Sequence, residues 1–235
     1  RASFVTSRGA ADRLVLPKMA DDDPEAAPAE ILREYGPFPE AESVNGVTWD
    51  GSQVWFAAGK RLHAFDPQSG RQTATLPAAC DAGTAYDGQH FYQLAGGAIH
   101  KLDPATGSVL KTIAAPGEQH SGLTWAEGTL WLGSYRGRKI QQIDADSGAV
   151  LRTIESNRFV TGVSWVDGEL WHATWEGDES EIRRVDPESG RVIERLAMPK
   201  GKVISGLESD GADRFFCGGA TSGKVRAVRR PKRKR

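Results

Sequence analysis

The sequence predicts an all-β protein: a five-bladed β-propeller of four-stranded antiparallel blades, its ring closed by an N-terminal strand in the last blade. Two observations carry this reading. A glycine-led segment returns five times, as VNGVTWDG, DAGTAYDG, HSGLTWAEG, VTGVSWVDG and ISGLESDG, with Gly46, Gly83, Gly122, Gly162 and Gly206 spaced 37, 39, 40 and 44 residues apart. Between these segments apolar residues alternate with period two, the pattern of strands rather than helices. A repeat of about 40 residues holding four short strands is the signature of a propeller blade.

Each element of the unit follows from its residues. The leading segment is the first strand, and it ends in a turn such as Asp50-Gly51, Asp87-Gly88, Glu127-Gly128 or Asp167-Gly168. The second strand opens on an apolar or aromatic pair: Val54-Trp55, Phe91-Tyr92, Leu130-Trp131, Leu170-Trp171 and Phe215-Phe216. The third strand is RLHAFD, AIHKLD, KIQQID, EIRRVD or KVRAVR. In four repeats the turn Asp-x-x-Ser/Thr-Gly follows, at Asp66, Asp103, Asp144 and Asp186. There the aspartate hydrogen-bonds its own turn and the glycine supplies positive φ. A run such as SVLKTI or RVIERL closes the blade.

The fifth unit stops after KVRAVR, where a fourth strand is still owed. EILREYGPFP, ahead of the first unit, has the pattern of a closing run, so residues at about 30–38 are expected to complete the fifth blade and leave no open edge. The expected organisation is a poorly structured extension over 1–29, the propeller over 30–229 and a basic tail over 230–235.

Composition agrees with this and excludes other classes. The 235 residues are 39% hydrophobic and 26% charged, which fits a packed globular protein and not a disordered one. No apolar run reaches the roughly 20 residues of a membrane-spanning helix. Two distant cysteines, Cys80 and Cys217, make no disulfide framework. Six of the seven tryptophans fall at two repeated positions, Trp49, Trp125 and Trp165 and then Trp55, Trp131 and Trp171, as expected for rings that pack blade on blade. Only Trp175 lies outside the repeat.

The net charge of −1 divides unevenly. RAVRRPKRKR, from Arg226 onward, holds seven basic residues and no acid, so the residues before it carry −8. An acidic body repels a phosphate backbone, and nucleic acid is not expected as a partner despite the basic tail. The first residues lack the apolar core of a secretory signal, which makes a cytoplasmic monomer the expectation and a mature secreted form the alternative.

Alternating strand direction sorts the connections onto two faces. One carries the uniform Gly- and Asp-bearing turns. The other carries the blade-to-blade crossings and the second-to-third-strand loops, and there the repeats diverge, into GSYRGR in the third blade and ATWEGDESE in the fourth. Function concentrates in variable loops on a rigid scaffold, so the site is expected at this mouth of the channel. Asn45, Asp81, His120, Thr161 and Ser205 start the inner strands there. Asp81 and His120 suit proton transfer, the alternative being a turn-capping aspartate and a solvent-exposed histidine. Trp175 and Tyr135 would stack a substrate, Asn45 and Arg136 would polarise it, and Glu176 lies beside them in the fourth-blade loop. Two residues after each leading glycine stand Thr48, Ala85, Thr124, Ser164 and, alone among them, the acid Glu208. A carboxyl near the crowded axis is expected to be desolvated and raised in pKa, a third candidate for acid–base work.

The turns DPQSG, DPATG, DADSG and DPESG and the Gly-Leu-polar strand starts resemble those of the glutaminyl cyclotransferase family and of the wider propeller group that includes streptogramin-lyase-like proteins. The resemblance covers roughly residues 30 to 229. It implies a five-bladed enzyme that cyclises N-terminal glutamine, with a catalytic Glu two residues after the leading glycine of the first blade. That position holds Thr48 here, and only Glu208 keeps a Gly-Leu-Glu triplet. No cofactor is expected, although a lyase-like mechanism would place a divalent metal at the mouth. Two classes stand: an enzyme acting on a small molecule or peptide terminus, and a non-catalytic module that binds a ligand or protein.

Overall fold

The computed structural model describes residues 23–232; residues 1–22, most of the expected extension, and 233–235, the end of the basic tail, lie outside the described residues. Two short strands come first, β1 (Ala27–Pro28) and β2 (Ile31–Tyr35). Blade one is β3 (Gly46–Trp49), β4 (Val54–Ala58), β5 (Arg61–Phe65) and β6 (Gln72–Pro77). Blade two is β7 (Thr84–Tyr86), β8 (Phe91–Ala95), β9 (Ala98–Leu102) and β10 (Val109–Ala114). Blade three is β11 (His120–Ala126), β12 (Thr129–Ser134), β13 (Lys139–Asp144) and β14 (Val150–Glu155). Blade four is β15 (Val160–Val166), β16 (Glu169–Glu176), β17 (Glu179–Val185) and β18 (Val192–Ala197). Blade five is β19 (Gly206–Ser209), β20 (Arg214–Gly218) and β21 (Val225–Arg229), completed by β2 on its outer edge. The fold is the expected five-bladed propeller, antiparallel within every four-stranded blade. One strand lay outside the repeat: β1 adds to blade four, running parallel to β18 with Ala27 beside Leu196.

At the axis the inner strands touch through their leading glycines. A Cβ built on Gly83 would lie 2.5 Å from the Leu123 nitrogen, and one on Gly122 2.6 Å from that of Val163. The same holds for Gly162 against Leu207, at 2.5 Å, while Gly206 and Gly46 close the circle with Cβ-to-Cα approaches of 2.9 Å onto Gly46 and Gly83. Each glycine is therefore required by the backbone of the next blade. Further out, aromatic rings bridge neighbouring blades: Tyr92 stacks on Trp125 at 5.4 Å, Trp131 on Trp165 at 5.6 Å, and Trp49 on Phe216 at 5.8 Å. Trp55 with Phe91 and Trp171 with Phe215 complete these contacts. Trp131 and Trp171 are fully buried.

The Asp-x-x-Ser/Thr-Gly turns behave as their residues require. The Asp144 carboxylate accepts hydrogen bonds from the backbone of Asp146 and Ser147 and from the Ser147 hydroxyl, and Gly148 has φ 74°. The hydroxyl bond of Ser147, followed by the backbone donors, holds the Asp144 carboxyl below its ordinary pKa.

Closure depends on the segment around β2. The Tyr35 hydroxyl donates to the Pro67 carbonyl of blade one at 2.9 Å, and Phe38 stacks on Phe56 at 4.6 Å. On the blade-five side Glu34 meets Arg226 at 2.8 Å, Lys224 at 3.2 Å and Lys202 at 3.4 Å. The Arg226 hydrogen bond, ahead of those from the two lysines and against the effect of burial, brings the Glu34 carboxyl down to about 2. Other basic residues near the C-terminus are also paired: Arg229 with Glu30 and Arg230 with Asp167, both at 2.6 Å.

Gly122→Ala should destabilise the protein by about 2 kcal/mol or more, because its methyl overlaps backbone that cannot rotate away; urea unfolding measures this. Glu34→Gln should cost about 1 kcal/mol near neutral pH by removing the carboxylate partner of Arg226, a loss held down by the solvent exposure of Glu34. Since the folded-state pKa of Glu34 lies below the unfolded value of 4.5, that stability is present above 4.5 and lost as pH falls toward 2. The gap between parent and variant should therefore close over that window in acid titrations of stability.

Candidate functional site

The mouth of the channel opens into a cavity of about 500 Å³. All five strand-start residues line it, Asn45, Asp81, His120, Thr161 and Ser205, one from each blade. Tyr135 and Arg136, from the loop joining β12 to β13, and Trp175, near the end of β16, complete one side. Inner strands start where crossings from the previous blade arrive, so the repeat itself delivers this ring. Serines stitch its wall: Ser121 donates to the Val160 carbonyl of the next blade at 2.6 Å, and Ser205 donates to the Val44 carbonyl while accepting from the Ala220 amide.

Asp81 and His120 share the cavity and are each bound to nearby backbone. Asp81 accepts from the Gly96 amide at 2.7 Å, capping the loop between β8 and β9. His120 Nε2 lies 3.2 Å from the Pro116 carbonyl. A carbonyl only accepts, so Nε2 carries a proton and, in the neutral ring, Nδ1 is left as an acceptor. No hydrogen bond joins the two side chains among the described residues.

Glu208 does not line the cavity. It follows Gly206 by two residues and so lies past the glycine ring, among Thr48, Ala85, Thr124 and Ser164. Its carboxyl accepts from the Ser164 hydroxyl at 2.6 Å and from the Thr124 hydroxyl at 3.1 Å. The Ser209 amide is a third donor, at 2.9 Å. Burial pushes Glu208 up to about 7, and these donors pull the other way. Nearby, the buried Thr48 hydroxyl has no hydrogen-bond partner.

Glu176 is likewise turned from the cavity. It accepts from the Phe159 amide at 3.0 Å and pairs with Arg138 at 3.2 Å and Arg158 at 3.6 Å. Arg138 also lies over the Phe159 ring, which contacts Tyr135 at 4.7 Å. Trp175 is held through its indole N–H, which donates to the Gly177 carbonyl at 2.8 Å. Cys80, beside Asp81 in sequence, is buried, and burial pushes its thiol up to about 12.

Gln119 lines the cavity and was not singled out from the sequence. It sits in the crossing from β10 to β11, and its φ of 57° is a backbone conformation that the residue type does not announce. Among the described residues no group of three His, Cys, Asp or Glu is placed to hold a metal ion.

Fold and geometry together define a five-bladed propeller with a polar, aromatic-walled cavity at one mouth. The family described as outer membrane protein assembly factor BamB matches residues 50–178, more than half of the sequence, and the protein belongs to that family. The glutaminyl cyclase of Myxococcus xanthus superposes with a TM-score of 0.70 at 18% identity, over 87% of this protein and 98% of that one. The WD40 β-propeller domain of Doa1 gives 0.53 at 18% identity, over 80% of this protein and 64% of that one. At such identity these likenesses show the fold. No curated protein sequence matches this one.

The folded state favours the protonated form of Glu208, so the stability tied to this group is complete below 4.5 and is lost as pH rises through about 7. Glu208→Gln should therefore be more stable than the parent by about 2–3 kcal/mol at about pH 8.5 and nearly equal to it at about pH 4. Denaturant melts of both proteins across that range check the sign.

Proposed function

We propose that this propeller is a binding module that takes a small polar molecule or a peptide terminus at the mouth of its channel. One observation carries the reading: polar and aromatic side chains from all five blades converge on a single cavity, while the axial carboxylate of Glu208 lies beyond the glycine ring. Acid–base catalysis needs a proton-transferring group within hydrogen-bond reach of the substrate. Glu208 is buried and bonded to Ser164 and Thr124, and Asp81 and His120 are bonded to backbone rather than to each other, so no acid–base pair is assembled at the mouth among the described residues. The description of the family names an assembly factor rather than an enzyme.

A glutaminyl-cyclotransferase-like activity is the second reading. It is favoured by the Gly-Leu-Glu triplet at Glu208 and by a carboxyl pushed to about 7. Nucleic acid is not part of either reading, because Arg226, Arg229 and Arg230 are already paired with acids of the propeller. No helix among the described residues is long and apolar enough to cross a membrane.

A short uncharged peptide titrated into the protein should quench tryptophan fluorescence saturably, and Trp175→Ala should abolish the response without lowering the melting temperature. A peptide with N-terminal glutamine should bind without being cyclised, as followed by mass spectrometry. Cyclisation by the parent that vanishes in Glu208→Gln would establish the enzyme instead.

A further inference from the structure

The polar groups facing the mouth cavity divide into those already bonded and those left open. Asp81, His120, Ser121, Ser205 and the Trp175 indole each hold a backbone partner. Thr161 does not: it is 4% exposed, lines the cavity, and its hydroxyl has no partner. A buried hydroxyl without a partner is unfavourable by itself, and unlike the equally unpartnered Thr48 this one belongs to the cavity wall, where a ligand atom would complete its bonding. Arg136 is a second open group, and the only charged one; the Gln119 side-chain amide and the Tyr135 hydroxyl on the same cavity also make no hydrogen bond among the described residues. The same loop carries Arg138, which is spent on Glu176, on the Asn157 carbonyl and on the Phe159 ring. Arg136 lines the cavity and makes no ion pair or hydrogen bond among the described residues.

An unpaired guanidinium and an unpaired hydroxyl on the wall of one cavity call for an anion that can accept from both. A guanidinium fork matches the two oxygens of a carboxylate. Asp81, on the same cavity, has one oxygen committed to Gly96 and the other open, so it repels a second negative charge and attracts an N–H donor. Phosphates and dicarboxylates fit this charge pattern poorly. Trp175 and Tyr135 add flat walls suited to an apolar or aromatic body.

Resting on the binding reading above, we infer that the mouth recognises a carboxylate. The carboxylate is held by Arg136 and Thr161, with a neighbouring N–H directed to Asp81 and an apolar group against Trp175 and Tyr135. The C-terminus of a peptide and a free amino acid both present this chemistry.

Calorimetric titration of the protein with N-acetyl-alanyl-phenylalanine, with its C-terminal amide and with free phenylalanine tests this. The peptide acid should bind at least about tenfold more tightly than the amide, by loss of a charge-assisted pair. Arg136→Ala, at an exposed position, should abolish that preference, and Arg136→Lys should restore part of it. Thr161→Val should weaken the acid several-fold without lowering the melting temperature, since no bond within the protein is removed. Tighter binding of the acetylated peptide than of phenylalanine identifies a peptide terminus as the ligand; the reverse order identifies a small metabolite. Equal affinity for acid and amide, or a preference that survives Arg136→Ala, overturns carboxylate recognition and leaves the mouth as a binding site. Binding of none of the three probes overturns both.

Discussion

The contact on which the rest of this structure depends is the backbone-to-backbone approach of five inner strands around the axis. Gly46, Gly83, Gly122, Gly162 and Gly206 have no side chain to separate one blade from the next, and a methyl on any of them would lie within 3 Å of the neighbouring backbone. Such an approach brings the blades close enough for rings such as Trp131 and Trp165 to stack across their faces. It also divides the channel. Residues before each glycine face the open mouth, and residues after it are sealed, which is why Asp81 and Glu208 occupy different environments although both belong to inner strands.

A ring of blades has one seam, where its two ends meet, and this protein closes the seam with charge and aromatic packing together. Glu34 on β2 faces Arg226 and Lys224 of the last blade, while Tyr35 and Phe38 reach into the first. The segment thus belongs to one sheet by hydrogen bonding and to the neighbouring blade by packing. A second fixture lies at blade four. Glu181 bonds both the buried Arg183 and Arg195, and Arg195 also donates to the Pro24 carbonyl, which ties the first described residues to that blade. Between them, Arg195 and Arg183 hold the Glu181 carboxyl down to about 2, against the effect of burial.

Much of this was legible in the order of residues. The recurrence of Gly46 through Gly206 marked the inner strands, the Asp-x-x-Ser/Thr-Gly runs marked the turns, and EILREY placed the closing strand in blade five. Alternating strand direction put Asn45, Asp81, His120, Thr161 and Ser205 at one mouth, where they share a cavity with Tyr135, Arg136 and Trp175. Less legible was how far along the axis a residue sits. Glu208, Asp81 and His120 all suit acid–base work by residue type and all belong to the start of an inner strand, yet two residues of strand carry Glu208 past the glycine ring. Glu176, adjacent to Trp175 in sequence, turns to Arg138 and Arg158, because successive residues of a strand point to opposite faces.

Sequence alone determined the unit, its number and its order around the ring, because each depends on local periodicity and on where glycine and aspartate permit a turn. The tertiary structure decided which polar groups are satisfied and which are not. That Arg138 is paired and Arg136 is open, that Thr161 lacks a partner, and that Glu208 is pushed to about 7 by burial depend on side chains that meet across blades. A repeat specifies that blades will meet. The bonds made between their unlike residues follow only from the packing of one particular blade against the next.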